Sequence, residues 1–214
     1  MRSKFREPFN GFTHLGGAIA ALIGGSVLLL IGGIGSARFV SLLIYIISLI
    51  MMLSASAVYH LVNGRPNVMV VLRKIDHSAI FLLIAGSYTP FCVTSFTGFW
   101  RWGFLAIIWG IALIGITVKV FYIRAPRWLN AGFYILMGWM SVLAINQMIG
   151  LPTWILTWLI IGGVIYTLGA VVYISKIFDF KPGKFGFHEV WHLFVLGGAL
   201  SHFIAVSMLV RSIN

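Results

Sequence analysis

Seven stretches of roughly twenty apolar residues follow one another along this chain, and that succession leaves it few ways to fold. They lie near 14–35, 39–62, 76–97, 101–123, 128–149, 153–175 and 188–210. Each is long enough to cross the hydrocarbon core of a bilayer as a helix, and seven such spans take roughly 140 residues. The chain has 214, so short loops are all that remain. Hydrophobic residues make up 60% of it and charged residues 9%, against about a quarter charged in a soluble domain. A water-soluble exterior cannot be built from that composition. An ordinary globular enzyme, a disordered chain and a nucleic-acid binder are excluded. The expectation is an all-α polytopic membrane protein, a single domain over 1–214 forming a seven-transmembrane-helix bundle, without internal repeats.

The breaks between spans carry turn or charge signals: Gly35–Arg38, Asn63–Asn67, Thr97–Gly98, Arg124–Arg127 and Gly150–Pro152, then a longer one from Ser175 to Phe187. The net charge of +11 would suggest a nucleic-acid partner in a soluble protein. Here the cations sit in the breaks, where they act as topology signals. Arg2, Lys4, Arg6, Arg65, Arg73, Lys74, Lys119, Arg124, Arg127, Lys176, Lys181 and Lys184 fall on one side; Arg38, Arg101 and Arg211 fall on the other. The positive-inside rule then places the N-terminus in the cytoplasm and the C-terminus outside, as an odd number of crossings requires. The basic start followed by an apolar run ending in Gly33–Ala37 has the outline of a signal peptide. That run is as long as the other spans and the charge alternation works with it retained, so it is read as the first helix.

Several features have structural readings alone. Trp100, Trp102, Trp128 and Trp154 lie near span ends, as interfacial aromatics do. Gly17, Ala21 and Gly25 form a small-residue stripe for close helix packing. Pro90 lies within the third span and is expected to kink it. The single cysteine, Cys92, excludes an internal disulfide and any Cys-rich metal site.

Ionisable groups within the spans need a reason, because a bilayer makes them costly. His60 precedes Arg65 near the cytoplasmic end of the second span; Asp76 follows Lys74 at the start of the third; His188 follows Lys184 at the start of the seventh. Three spans thus place a His, an Asp and a His at one depth. His188 and His192 are four residues apart, on one face of a helix, and Ser56 is four residues before His60. Two such histidines and a third from another helix match a three-histidine zinc site with its fourth position open. Histidines satisfied by hydrogen bonds between helices, or a proton relay, are the competing readings.

Ser56-Ala57-Val58-Tyr59-His60, Lys74-Ile75-Asp76-His77-Ser78 and His188-Glu189-Val190-Trp191-His192, with the opening Glu7–His14, resemble the haemolysin III family of bacterial membrane proteins. That family is similar to the progestin and adipoQ receptors, which include the adiponectin receptors, and is grouped with the alkaline ceramidases as seven-helix hydrolases. The resemblance covers nearly the whole chain. It implies zinc held by His60, His188 and His192, Asp76 reaching the zinc through a water, Ser56 beside the site, and residence in a bacterial inner (plasma) membrane. His14 and His77 are near the site in depth, as second-rank candidates. His202 is expected to make a hydrogen bond between helices, and Glu189 to face the headgroups or an adjacent helix.

The expected function is zinc-dependent hydrolysis of a membrane lipid amide or ester, with a role in lipid homeostasis, Asp76 shuttling the proton and Ser56 steadying the carbonyl oxygen. Membrane lipids are the expected partners, with no nucleic acid and no soluble protein. One alternative is a sensor or receptor of membrane state in which zinc is structural. Another is a transport or cytolytic protein, as the family name suggests. No amphipathic pore-forming segment supports cytolysis, and the short stretch before the first span does not support a hormone-receptor reading.

Overall fold

Where no water competes for backbone amides, an apolar run satisfies them within itself, as a helix. In the computed structural model, which describes residues 4–32, 37–123, 125–181 and 185–212, the chain is helical almost throughout. The helices are α1 (Pro8–Gly32), α2 (Ala37–Leu61), α3 (Pro66–Ser95), α4 (Phe99–Phe121), α5 (Arg127–Trp139), α6 (Ile145–Met148), α7 (Thr153–Ser175) and α8 (Phe187–Ser212). A 3₁₀ turn over Met140–Ala144 joins α5 to α6. The described residues contain no strand, only an isolated antiparallel bridge between Lys181 and Phe185. Residues Gly33–Ser36, which end the signal-like run and open the first break, and the topology cations Arg2, Arg124 and Lys184 lie outside the described residues.

Six of these segments are long and apolar enough to cross a membrane: α1, α2, α4, the run Arg127–Met148, α7 and α8. Their outward faces are apolar. Ile23, Leu30, Ile114 and Leu136 are 63–77% exposed, an arrangement that only a lipid surround stabilises. Trp102, Trp128 and Trp154 also point outward. The chain is a multi-pass membrane protein.

The remaining expected span, 76–97, falls within α3 up to Ser95. That helix has 30 residues but carries Arg73, Lys74, Asp76, His77 and several hydroxyls, so it is less apolar than the rest. Its position explains the tolerance. From Asp76 to Phe96 no residue is exposed, because α3 packs on α2, α4, α5 and α8. A helix surrounded by protein need not match the solvency of lipid.

Contacts run α1–α2–α3–α5–α7–α8 and back to α1, with α4 outside against α3. Glycines allow the closest approaches. A Cβ on Gly17 would lie 2.7 Å from Leu196 of α8, and one on Gly25 would lie 2.5 Å from Ile46 of α2. The Gly17–Ala21–Gly25 stripe therefore faces α2 and α8, its packing partners. On α3, a Cβ on Gly86 would lie 2.1 Å from Ser48 Oγ and 2.8 Å from Ser48 Cβ.

Two expected boundaries need correction. The third helix starts at Pro66, ten residues before the apolar span. Hydropathy marks where the chain enters lipid, whereas backbone hydrogen bonding continues past it, and Pro66 sits at the first-turn position that suits proline. The helix then runs on through Pro90. The segment expected as one helix over 128–149 is instead interrupted at Met140. Tyr88 of α3 is the cause. Its hydroxyl accepts from the Ser141 backbone N–H at 2.9 Å and lies 3.0 Å from Met137 O and 2.5 Å from Gly138 O, so it takes up groups that the regular ladder would have paired.

Candidate metal centre

His60 stands on the last turn of α2, and His188 and His192 on the first two turns of α8. Each of the three offers a ring nitrogen, and these atoms all lie within 4.8 Å of one another. Ring centroids are 4.5 Å apart for His60–His192, 4.9 Å for His188–His192 and 5.3 Å for His60–His188. His60 and His192 are buried and His188 is half-buried. The donor set suits zinc. Nitrogen ligands sit about 2.0–2.1 Å from that ion, which gives a tetrahedral edge of about 3.3–3.4 Å. His188 Nε2 and His192 Nε2 are 3.3 Å apart.

The other residues expected at the site lie around this cluster. Asp76, buried on α3, is outside the group of mutually close ligand atoms. Its carboxylate lies 3.4 Å from His77 Nδ1. Ser56 is buried one turn before His60. Asp76, Ser56 and all three histidines line one cavity of about 530 Å³. The same cavity extends past Ile80, Leu83, Ile84 and Phe91 of α3 and Val195 of α8 as far as His202. His202 itself meets Leu159 O of α7 at 3.4 Å, a contact between helices.

Further residues complete the surroundings, of which the sequence pointed to His14 and Glu189 but gave no role at the site to Glu7, Arg6 or Asn10. The backbone N–H of Glu7 donates to His60 O at 2.9 Å and that of Arg6 to Leu61 O at 3.4 Å. These carbonyls end α2 and have no partner within the helix. The docking brings the Glu7 carboxylate to 2.5 Å from His60 Nδ1. Arg6 lies 3.2 Å from the other carboxylate oxygen and stacks on Tyr59. Burial works against the Glu7 charge, but the hydrogen bond and charge of His60, with Arg6 behind, outweigh it and hold the carboxyl at about 2. Asn10 Nδ2 donates to Glu189 Oε1 at 3.1 Å and reaches Glu7 Oε2 at 3.4 Å. Glu189 therefore faces α1, with its second oxygen accepting from Gly186 N at 2.8 Å. His14 Nε2 lies 3.0 Å from His192 Nδ1. A signal for Glu7 was present in the sequence: the chain has only four acidic residues, and Glu7, Asp76 and Glu189 all line this cavity.

The chain is similar in sequence to known proteins. Residues 2–203 match the family described as Haemolysin-III related. The chain belongs to the haemolysin III family. Hemolysin-3 of Bacillus cereus is 35% identical to this member over 206 residues, covering 94% of this chain and 90% of the relative. The Hemolysin-3 homolog of Bacillus subtilis (strain 168) is 34% identical over 204 residues, covering 94% and 92%. The adiponectin receptor protein of Drosophila melanogaster is 27% identical over 154 residues, 64% of this chain and 35% of the receptor. The chain is thus similar, at lower identity, to part of an animal receptor protein.

Proposed function

We propose that this haemolysin III protein is a zinc-dependent hydrolase of a membrane lipid amide or ester. It crosses a bacterial inner membrane seven times, α3 included, with its N-terminus in the cytoplasm. The observation that carries the reading is the convergence of His60, His188 and His192, their ligand atoms within 4.8 Å, at the wall of a largely apolar cavity. Zinc held by these side chains supplies Lewis-acid activation of a water and of a scissile carbonyl. Asp76 accepts the proton released by the attacking water and returns it to the leaving amine or alcohol. The Ser56 hydroxyl donates to the carbonyl oxygen as negative charge develops there. The apolar walls along α3 and α8 hold the acyl chain and exclude bulk water.

A second reading rests on a specific feature. Helices α2 and α8 have little direct contact, because α1 packs between them. Zinc across His60, His188 and His192 would then serve chiefly to clip them together in a non-catalytic sensor of membrane state.

Elemental analysis of protein purified in mild detergent is the first test, with stoichiometric zinc expected in the parent and loss in His188→Ala. Hydrolysis of lipid amides and esters by the Asp76→Asn variant is the second. A catalytic site predicts retained zinc and turnover at least 100-fold lower, on the order of what general acid–base catalysis contributes. Parent protein that carries zinc and turns over no lipid supports the sensor, and activity that survives chelation and His192→Ala overturns the hydrolase.

A further inference from the structure

The geometry points to Glu7 and His14 as positioning residues of the metal centre, which fix the ring orientation and tautomer of His60 and His192 so that each presents Nε2 to the ion. This inference rests on the zinc reading above.

An ionised carboxylate can only accept a hydrogen bond. Glu7 Oε2 at 2.5 Å from His60 Nδ1 therefore places the ring proton on Nδ1 and leaves the Nε2 lone pair free. The backbone bond from Glu7 to His60 O docks the segment there, and Arg6 and Asn10 hold the carboxylate itself.

On α8 the cluster side of His192 is equally defined. Its Nε2 faces His188 Nε2 at 3.3 Å, and its Nδ1 faces His14 Nε2 at 3.0 Å. Two arrangements of protons satisfy these distances. In one, His14 donates and His192 passes its Nε2 proton toward His188, a chain of imidazoles that leaves no lone pair for an ion on His192. In the other, His192 Nδ1 donates to His14 Nε2 and its Nε2 lone pair turns to the cluster. Metal ligation demands the second, which puts the His14 proton on Nδ1. That nitrogen is buried and has no hydrogen-bond partner among the described residues, and His14 lines the cavity. Metal-bound histidines commonly engage a partner through the second ring nitrogen, and removing it weakens binding roughly 10- to 100-fold. Here two such partners come from one short stretch, and Asn10 between them reaches Glu189 on α8. The start of α1 thus braces ligands on α2 and α8 at once.

The full-length protein in detergent, stripped and titrated with Co²⁺ and with Zn²⁺ against a competing chelator, tests this. Glu7→Gln and His14→Leu are expected to keep three-histidine Co²⁺ ligation, with a shifted visible absorption band and Zn²⁺ affinity roughly 10- to 100-fold lower. Glu7→Asp, which restores the charged acceptor that Glu7→Gln lacks, and His14→Gln, which restores the acceptor that His14→Leu lacks, are expected to recover part of the affinity and move the band back toward the parent. A merely structural role would lower thermal stability without altering the band of the folded, loaded protein. Parent-like affinity and spectrum in both Glu7→Gln and His14→Leu overturn the inference and leave the zinc reading intact. Parent protein that takes up neither ion, like His192→Ala, overturns the zinc reading and this inference with it. Should Glu7→Gln fail to fold, Glu7→Asp and the His14 pair carry the decision.

Discussion

His60, His188 and His192 meet because two of them share a helix face by spacing and the third ends a helix that α1 holds nearby. Spacing of this kind is legible in a sequence; the partners of the outward-facing ring nitrogens are not. Glu7 lies 53 positions from His60, and His14 lies 178 from His192. No periodicity connects residues so far apart. Ser56 illustrates the same division. Its register with His60 was readable, whereas its place in the cavity wall depends on α3 and α8. If its hydroxyl steadies the developing oxyanion, Ser56→Ala will lower kcat on a lipid substrate by about 10²- to 10³-fold while zinc content stays at the parent level. Loss of zinc in that variant would make Ser56 structural instead.

At the scale of the element, α3 and α5 show how tertiary contacts overrule local pattern. Tyr88 supports the 3₁₀ turn of the α5–α6 run by binding the Ser141 N–H and the Met137 and Gly138 carbonyls. Tyr88→Phe removes that partner. The expected cost is about 1–3 kcal/mol, read as a lower Tm in detergent and as faster amide exchange at Ser141. Unchanged exchange there would mean the turn is intrinsic to the segment. Gly86 tests the packing of α3 on α2. Its missing Cβ would sit 2.8 Å from the Ser48 Cβ, an atom fixed to the backbone, so rotation of the Ser48 hydroxyl cannot relieve the clash. Gly86→Ala should therefore destabilise the fold by about 1–3 kcal/mol, although alanine is the better helix former.

For the whole molecule, twelve of the fifteen cations fall on one side of the expected membrane and three on the other. A reporter that is active only outside the cell, fused after Asn214, is expected to be active, and a fluorescent reporter that matures only in the cytoplasm is expected to be dark there. The reverse result would mean either an even number of crossings, with α3 the first segment to reconsider, or seven crossings in the opposite orientation. Extraction should require detergent, given the apolar outward faces of α1 and α4.

The sequence by itself determined that this chain lives in a membrane as helices, since apolar length and amide satisfaction in lipid leave no other solution. It also placed two histidines of the cluster on one helix face, because α-helical geometry is local. The tertiary structure decided what lies beyond the reach of a helix period. It set α3 among α2, α4, α5 and α8, where polar residues are shielded from lipid, and broke α5 at a tyrosine from another helix. It brought the start of α1 against the end of α2 and the start of α8, so that Glu7 meets the His60 ring and His14, placed near the site by depth alone, meets that of His192.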